Sequence, residues 1–271
     1  MSRHLLMVHG VGCGGEVWDR MRPVFEGAGF KCTAPTLFPE LRTVEPPDET
    51  GAAKLGALTL EDYVEAMSET ARELAEASGE GAPKPAIIGH SMGGLIAQKL
   101  AERGDVSAAV FLTPAAPAGC TVTDLRVART FWSVVSKGRS RLPGQAVKVG
   151  RRGFGWGVLN RVERARHDKI YAGARYDSGQ VYVDLMQPPP VEEGRIRVPT
   201  LTVGAGRDRA TVVASVRKVA RKYAAAPVSG DGLEYPDHGH WIVDEPGTDL
   251  VTADIVTWLA RKVPEPARKA G

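Results

Sequence analysis

Cysteine is scarce in this sequence, with three among 271 residues, at Cys13, Cys32 and Cys120. None stands in a C-x-x-C spacing. That excludes a disulfide framework or a zinc ribbon as the organising device and fits a reduced, cytoplasmic chain. An excess of charge is also lacking. The formal net charge of +3 is too small to point to nucleic acid as a partner. No apolar run approaches the ~20 residues that cross a bilayer, so no transmembrane segment is expected. The run over residues 4–8 passes straight into His9-Gly10, so it reads as a strand rather than as part of an export signal. Missing too is the lysine-hydroxyl ending of a phosphate-binding loop. There is no internal repeat and no low-complexity tract. What remains is an ordinary globular composition, 43% hydrophobic and 25% charged, long enough for one large core with an inserted segment.

Chemistry concentrates around Gly89-His90-Ser91-Met92-Gly93. The apolar run Ala86-Ile87-Ile88 enters it, and a helical pattern (Leu95, Ile96, Leu100) leaves it. A strand, a tight turn with serine at its tip and a helix put that serine in strained backbone, with tiny neighbours two positions to either side. The hydroxyl then stands above the sheet edge, and the helix aims its N-terminal amides at the same place. A serine hydroxyl is a weak nucleophile until a base takes its proton, and the base needs an orienting group. The rest of the chain is therefore expected to supply a histidine, a carboxylate and amides for an oxyanion.

Candidates for all three are present. The strand over 4–8 ends in His9-Gly10-Val11-Gly12-Cys13-Gly14-Gly15, a loop whose backbone approaches something closely. It suits one oxyanion donor, the amide of Val11 or Gly12, and the amide of Met92 suits the other. His9 reads as a support for that loop. The run Pro199 to Gly206 reads as a core strand with Asp208 just beyond its C-terminal end, where an orienting acid is needed. Arg207 and Arg209 are the competing partners that would hold it in a surface ion pair. After the last expected strand, over 233–235, comes Asp237-His238-Gly239-His240-Trp241. His240 is the better base, with a glycine before it and an aromatic wall after it, and His238 reads as a loop hydrogen-bonder. Two histidines and one aspartate without a further ligand cluster do not make a metal site.

The remaining pattern fills in a fold. Helices are expected over 17–28, 60–77, 93–102, 211–224 and 246–259, with Thr59-x-x-Asp62 capping the second. Residues 38–57 read as an irregular excursion. Strand–helix alternation with near-continuous apolar strands indicates an α/β fold with a mostly parallel sheet flanked by helices. The rhythm breaks over 120–198, which holds short helical patterns, glycine-rich bends and no strong strand. It reads as an inserted helical lid (cap), with the core formed by 1–119 and 199–271. From Thr121 to Val198 there are 15 Lys and Arg against 7 Asp and Glu. That excess is either a solvated surface or an attractor for an anionic or carrier-linked substrate. The tail over 261–271 reads as frayed.

Ser91, Asp208 and His240 follow one another in the order nucleophile, acid, base. With the His9-Gly10 loop, the Gly89–Gly93 elbow and Gly239-His240-Trp241, the chain resembles the α/β-hydrolase superfamily over nearly its whole length. The resemblance implies a sheet of about six strands, because the chain enters directly at the His-Gly strand of longer members. It also implies attack by Ser91, proton transfer through His240, orientation by Asp208 and an oxyanion hole at Val11 and Met92, with no cofactor. Serine in place of aspartate at position 91 argues against the dehalogenating and epoxide-opening branches. Substrate contacts are expected from Gly12, His90 and Trp241, and in the lid from Phe131 and Trp132. The leading expectation is hydrolysis of a carboxylic ester or thioester of a small-molecule substrate. A lyase or C–C hydrolase using the same three residues, or a low-turnover binding protein, would need the same parts.

Overall fold

The computed structural model describes residues 3–79 and 82–263. Of the expected frayed tail, residues 264–271 lie outside the described residues. The strands, in chain order, are β1 (Arg3–Val8), β2 (Phe30–Thr33), β3 (Ala86–His90), β4 (Ala109–Leu112), β5 (Ala146–Val147), β6 (Asp177–Ser178), β7 (Thr200–Ala205) and β8 (Asp231–Tyr235). The helices are α1 (Arg22–Gly27), α2 (Glu49–Ala57), α3 (Leu60–Ala77), α4 (Met92–Arg103), α5 (Leu125–Thr130), α6 (Trp132–Val135), α7 (Arg151–Gly153), α8 (His167–Ala172), α9 (Gly179–Met186), α10 (Val213–Ala224) and α11 (Thr248–Lys262).

Six strands form one sheet in the order β2-β1-β3-β4-β7-β8, and every neighbouring pair is parallel. Alternation along the strands sorts the side chains to two faces. Leu5, Met7, Ile88, Val110, Leu201 and Val203 join the core beneath α1 and α11. Leu6, Val8, Ile87 and Phe111 join the core beneath α3, α4 and α10. Both faces are covered, which is why the strands read as continuous apolar runs. The exception is β8, an edge strand whose residues are mostly exposed.

The topology chooses where a site can form. From β1 the chain moves outward to β2, then returns across β1 to β3 and continues the other way. At such a reversal the loops leaving the C-terminal ends of the two central strands diverge and leave a crevice between them. Those loops are His9–Gly15 after β1 and the Ser91 turn after β3.

Several boundaries differ from expectation for identifiable reasons. The helix expected over 17–28 is a 3₁₀ turn at Gly15–Trp18 followed by α1, because Pro23 starts a new helix in its first turn. The excursion over 38–57 contains α2, capped by Asp48, whose side chain accepts from the Gly51 amide. Two glycines and no apolar stripe hid it. The Thr59–Asp62 capping box is present in full. The segment between β4 and β7 is helical and short-jointed. It also contains the two-residue antiparallel pairing of β5 with β6, too short to register as a strand pattern.

Candidate active site

Ser91 links β3 to α4 with φ 57 and ψ −120, a conformation costing on the order of 1–3 kcal/mol for a residue with a side chain. The turn exists because glycines let three backbones converge. A Cβ on Gly89 would run into the Gly93 carbonyl, one on Gly93 would run into the Val8 carbonyl, and one on Gly10 would come to 2.8 Å from the Ser91 Cβ. The two spacer glycines of the motif are thus consequences of packing the elbow onto β1, and Gly10 gives the serine side chain its room.

Three side chains far apart in sequence meet here. The Ser91 hydroxyl lies 3.1 Å from His240 Nε2, and His240 Nδ1 lies 2.8 Å from Asp208 Oδ2. All three residues are buried. Asp208 is fixed from its other side. Its Oδ1 accepts from the amides of Ala210 and Thr211 at 2.7 and 2.9 Å, and the Thr211 hydroxyl sits 2.8 Å from Oδ2. A carboxylate held this way accepts from His240 Nδ1–H and leaves Nε2 unprotonated toward the serine. Arg207 and Arg209 do not compete for Asp208: Arg207 pairs with Asp237, and Arg209 donates to the Trp156 carbonyl.

The loop carrying His240 is held by two more histidines. His90 donates from Nε2 to the His240 carbonyl at 2.8 Å. Burial, and secondarily the nearness of His240, lower the His90 pKa from 6.5 to about 3. It therefore stays neutral beside the imidazole that would become charged. His238 pairs through Nδ1 with the buried Glu245 at 2.9 Å, and the same carboxylate oxygen accepts the Gly239 amide at 2.6 Å. His238 is a loop support, as its position suggested. Nothing in the sequence announced Glu245.

His9 also supports a loop. Its Nδ1–H donates to the Gly10 carbonyl at 2.8 Å, and its Nε2 accepts from the Leu37 amide and from Arg42. Burial first, and the Arg42 charge second, push its pKa down to about 3. Between the two candidate oxyanion donors of this loop the hydrogen bonding discriminates. The Gly12 amide donates to Asp177 Oδ2 at 2.9 Å, so it is already engaged, and Val11 is left. Among the described residues, the amides of Val11 and Met92 meet no protein acceptor.

Beside Ser91 lies a cavity of about 190 Å³, lined by Val11, Met92, Val127, Phe131, Leu185 and Val212 among others. Among the described residues, no charged side chain lines it. The basic excess of the 120–198 segment is therefore not directed at this cavity. Arg126 pairs with Asp124, Arg166 with Asp244, and Arg151 with Asp168, while Arg129 stacks on Trp156. A narrow second space is also lined by Ser91, together with His90, Phe131, Phe154, His240 and Trp241.

The expected contact residues divide accordingly. Phe131 borders both spaces, and His90 and Trp241 border the narrow one. Trp132 is a correction: it is 65% exposed and lines neither space. Helical periodicity gave its phase wrongly, because α5 ends at Thr130 and, after Phe131, a new helix begins at Trp132. Gly12 is a second correction. It borders an outer cleft with Glu16, Arg20 and Lys169, and its amide faces Asp177.

The chain belongs to the alpha/beta hydrolase family, whose model matches residues 5–253. A probable esterase, PIR7A, from Oryza sativa subsp. indica is 32% identical over 121 residues, which is 43% of this chain and 41% of the rice protein. The matched stretch thus spans about two fifths of that relative's length. Among solved structures, a monoacylglycerol lipase from Paleococcus ferrophilus superposes with a TM-score of 0.66 at 20% identity, covering 96% of this chain and 94% of that one. A methylesterase from Arabidopsis superposes with a TM-score of 0.67 at 18% identity, covering 96% and 99%. At those identities the two structures establish the shared fold. No helix among the described residues is long and apolar enough to cross a membrane.

Proposed function

We propose that the protein hydrolyses a carboxylic ester, or a thioester, of a small molecule with an uncharged apolar group, through an acyl-enzyme on Ser91. The observation that carries this reading is the buried line of contacts from Ser91 through His240 to Asp208, at 3.1 and 2.8 Å. Family membership and the esterase among the curated relatives support it.

In the first half-reaction, Ser91 Oγ attacks the carbonyl carbon and His240 Nε2 takes the hydroxyl proton. Asp208 stabilises the imidazolium and keeps its ring in register. The carbonyl oxygen becomes an oxyanion, bound by the amides of Val11 and Met92 at the N-terminus of α4. Each such donor contributes about 3 kcal/mol to the transition state. His240 returns the proton to the departing alcohol or thiol. Water then repeats the sequence on the acyl-enzyme, and Ser91 is released. The uncharged cavity favours an alkyl or aryl group over a carboxylate at that side of the serine, because burying an unpaired charge there would be costly. Residues 120–198 act as a lid whose α5–α6 stretch roofs this cavity.

The test is a series of p-nitrophenyl esters of increasing acyl length, with Ser91→Ala as control. Hydrolysis with a length optimum, reduced by at least about a thousandfold in the variant, supports the reading. Turnover that survives in Ser91→Ala overturns it.

A further inference from the structure

The mechanism leaves one fully buried charge pair unused. Arg42, in the loop after β2, and Asp177, in β6 of the inserted segment, are both 0% exposed and meet at 2.8 Å. Asp177 receives donors on both oxygens. Oδ2 accepts from Arg42 and from the Gly12 amide at 2.9 Å, and Oδ1 accepts from the Tyr63 hydroxyl at 2.7 Å and the Ser178 amide at 3.0 Å. The Arg42 guanidinium continues to His9 Nε2 at 3.1 Å and to the Leu37 carbonyl. Burial alone would raise the Asp177 pKa. Arg42, the Gly12 amide and Tyr63 more than reverse this and keep the group ionised. Four parts of the chain are thereby fastened at one carboxylate: the loop after β1, the loop after β2, helix α3 and the lid.

A bland account would make this a structural clamp. Its position argues for more. Gly12 has φ +67, and its peptide nitrogen is the next donor after Val11. The direction of the Gly12 N–H constrains the peptide plane that joins it to Val11, and with it the orientation of the neighbouring Val11 N–H. On the other side, His9 fixes the Gly10 carbonyl and is itself fixed by Arg42. Both flanks of Val11 are thus tied to the same ion pair.

We propose that Asp177 is a positioning residue. With Arg42, it holds the Gly12 peptide and His9 so that the Val11 amide stays unpaired and aimed at the developing oxyanion. This rests on the proposed oxyanion role of Val11. Asp177 comes from the lid, so the lid contributes to transition-state binding as well as covering the cavity. Its β5–β6 end is then a fixed part of the active site.

The chemistry of the site makes Asp177→Asn informative. All four partners of Asp177 are donors, so an amide NH₂ faces donors in either orientation. Arg42→Gln/Asp177→Asn removes both charges together and guards against a single variant that fails to fold. The readouts are kcat and KM for an aryl ester, and the Kd of an arylboronic acid, which forms a tetrahedral adduct on an activated serine. In folded variants, verified by circular dichroism, kcat is expected to fall about tenfold to a hundredfold and the boronate Kd to weaken in parallel, with KM within about threefold. A folded variant with wild-type kcat and boronate affinity overturns the proposal. A parallel measurement uses the wild-type protein alone. In amide hydrogen exchange, Gly12 is expected to be protected with and without boronate, and Val11 only with it. Exchange at Gly12 as fast as at Val11 in the free protein also overturns the proposal. If the wild-type protein binds no boronate, or Ser91→Ala binds it equally well, the reading of Ser91 has failed, and this inference falls with it. If wild type binds and Asp177→Asn binds as tightly, only the role of Asp177 has failed.

Discussion

Replacing Asp208 by asparagine changes one atom in the site, and the surrounding hydrogen bonds dictate how that change is read by the histidine. Oδ1 of Asp208 accepts two backbone amides, from Ala210 and Thr211. The new side chain must keep its carbonyl oxygen there. Turning it over would leave two buried amides facing an NH₂ group, at a cost of about 1–3 kcal/mol each. The NH₂ group is therefore forced into the place of Oδ2. There one hydrogen points at His240 Nδ1 and the other at the Thr211 hydroxyl, which can turn its own proton to the Thr113 carbonyl 2.9 Å away. Every group is satisfied, but only if His240 Nδ1 accepts. The proton must then sit on Nε2, facing Ser91, where it blocks the serine from giving up its own. In a Ser-His-Asp arrangement this wrong tautomer lowers kcat by about 10⁴, or ~5 kcal/mol on the barrier. Because the shape is unchanged, the melting temperature should move by no more than a few degrees, roughly the effect of 1 kcal/mol or less. The assay is kcat for an activated ester together with the thermal midpoint of the same preparation. A folded variant retaining more than about a tenth of wild-type kcat would refute the tautomer argument.

Other contacts carry consequences that can be measured. Gly10→Ala places a methyl group 2.8 Å from the Ser91 Cβ. The serine must shift, and a loss of about a hundredfold in kcat/KM is expected, with a destabilisation of ~1–3 kcal/mol in urea titrations; full activity would mean that the elbow is more pliant than its packing suggests. His9 and His90 have pKa values pushed from 6.5 down to about 3. The unfolded chain therefore takes up their protons before the folded one does, so their contribution is complete above 6.5 and is lost as pH falls toward about 3. Moving from about pH 7 to about pH 5.5 should lower the unfolding free energy by ~2.5 kcal/mol for the pair, a change readable in the denaturant midpoint and contradicted by a flat profile. Ala128→Phe, in the cavity lining on α5, should shift the preferred acyl group to a shorter one by about one or two carbons without loss on an acetate ester. An unchanged length profile would show that the acyl group lies elsewhere.

The parts of this site that could be read from the sequence are those that carry their own local signal. A strand entering a G-x-S-x-G turn, glycines after a His-Gly strand, an acid just past a core strand and a histidine after the last strand are each visible within a few residues. Their convergence follows from the parallel topology, which the apolar strands also reveal. The rest depends on partners distant in the chain. Arg42 and Asp177 stand 135 positions apart, and each alone looks like a surface charge. Glu245 looks like an ordinary acid near a helix start, yet it is fully buried beneath His238 and Gly239. The outward face of Trp132 depends on a helix break at Phe131 that no glycine or proline marks. Helix α2 lacked an apolar stripe because only Leu55 and Gly56 of it are buried. Where a residue's role was set by what it meets rather than by its neighbours in sequence, the pattern was silent.

Everything proposed for this site requires the hydroxyl at position 91 to be an activated nucleophile. Treatment with a fluorophosphonate, followed by peptide mapping, addresses it most directly. A single phosphonylated peptide bearing the adduct on Ser91, absent in Ser91→Ala and formed far more slowly in His240→Ala, is the expected result. No adduct, or one that persists on another residue when Ser91 is replaced, would contradict the claim.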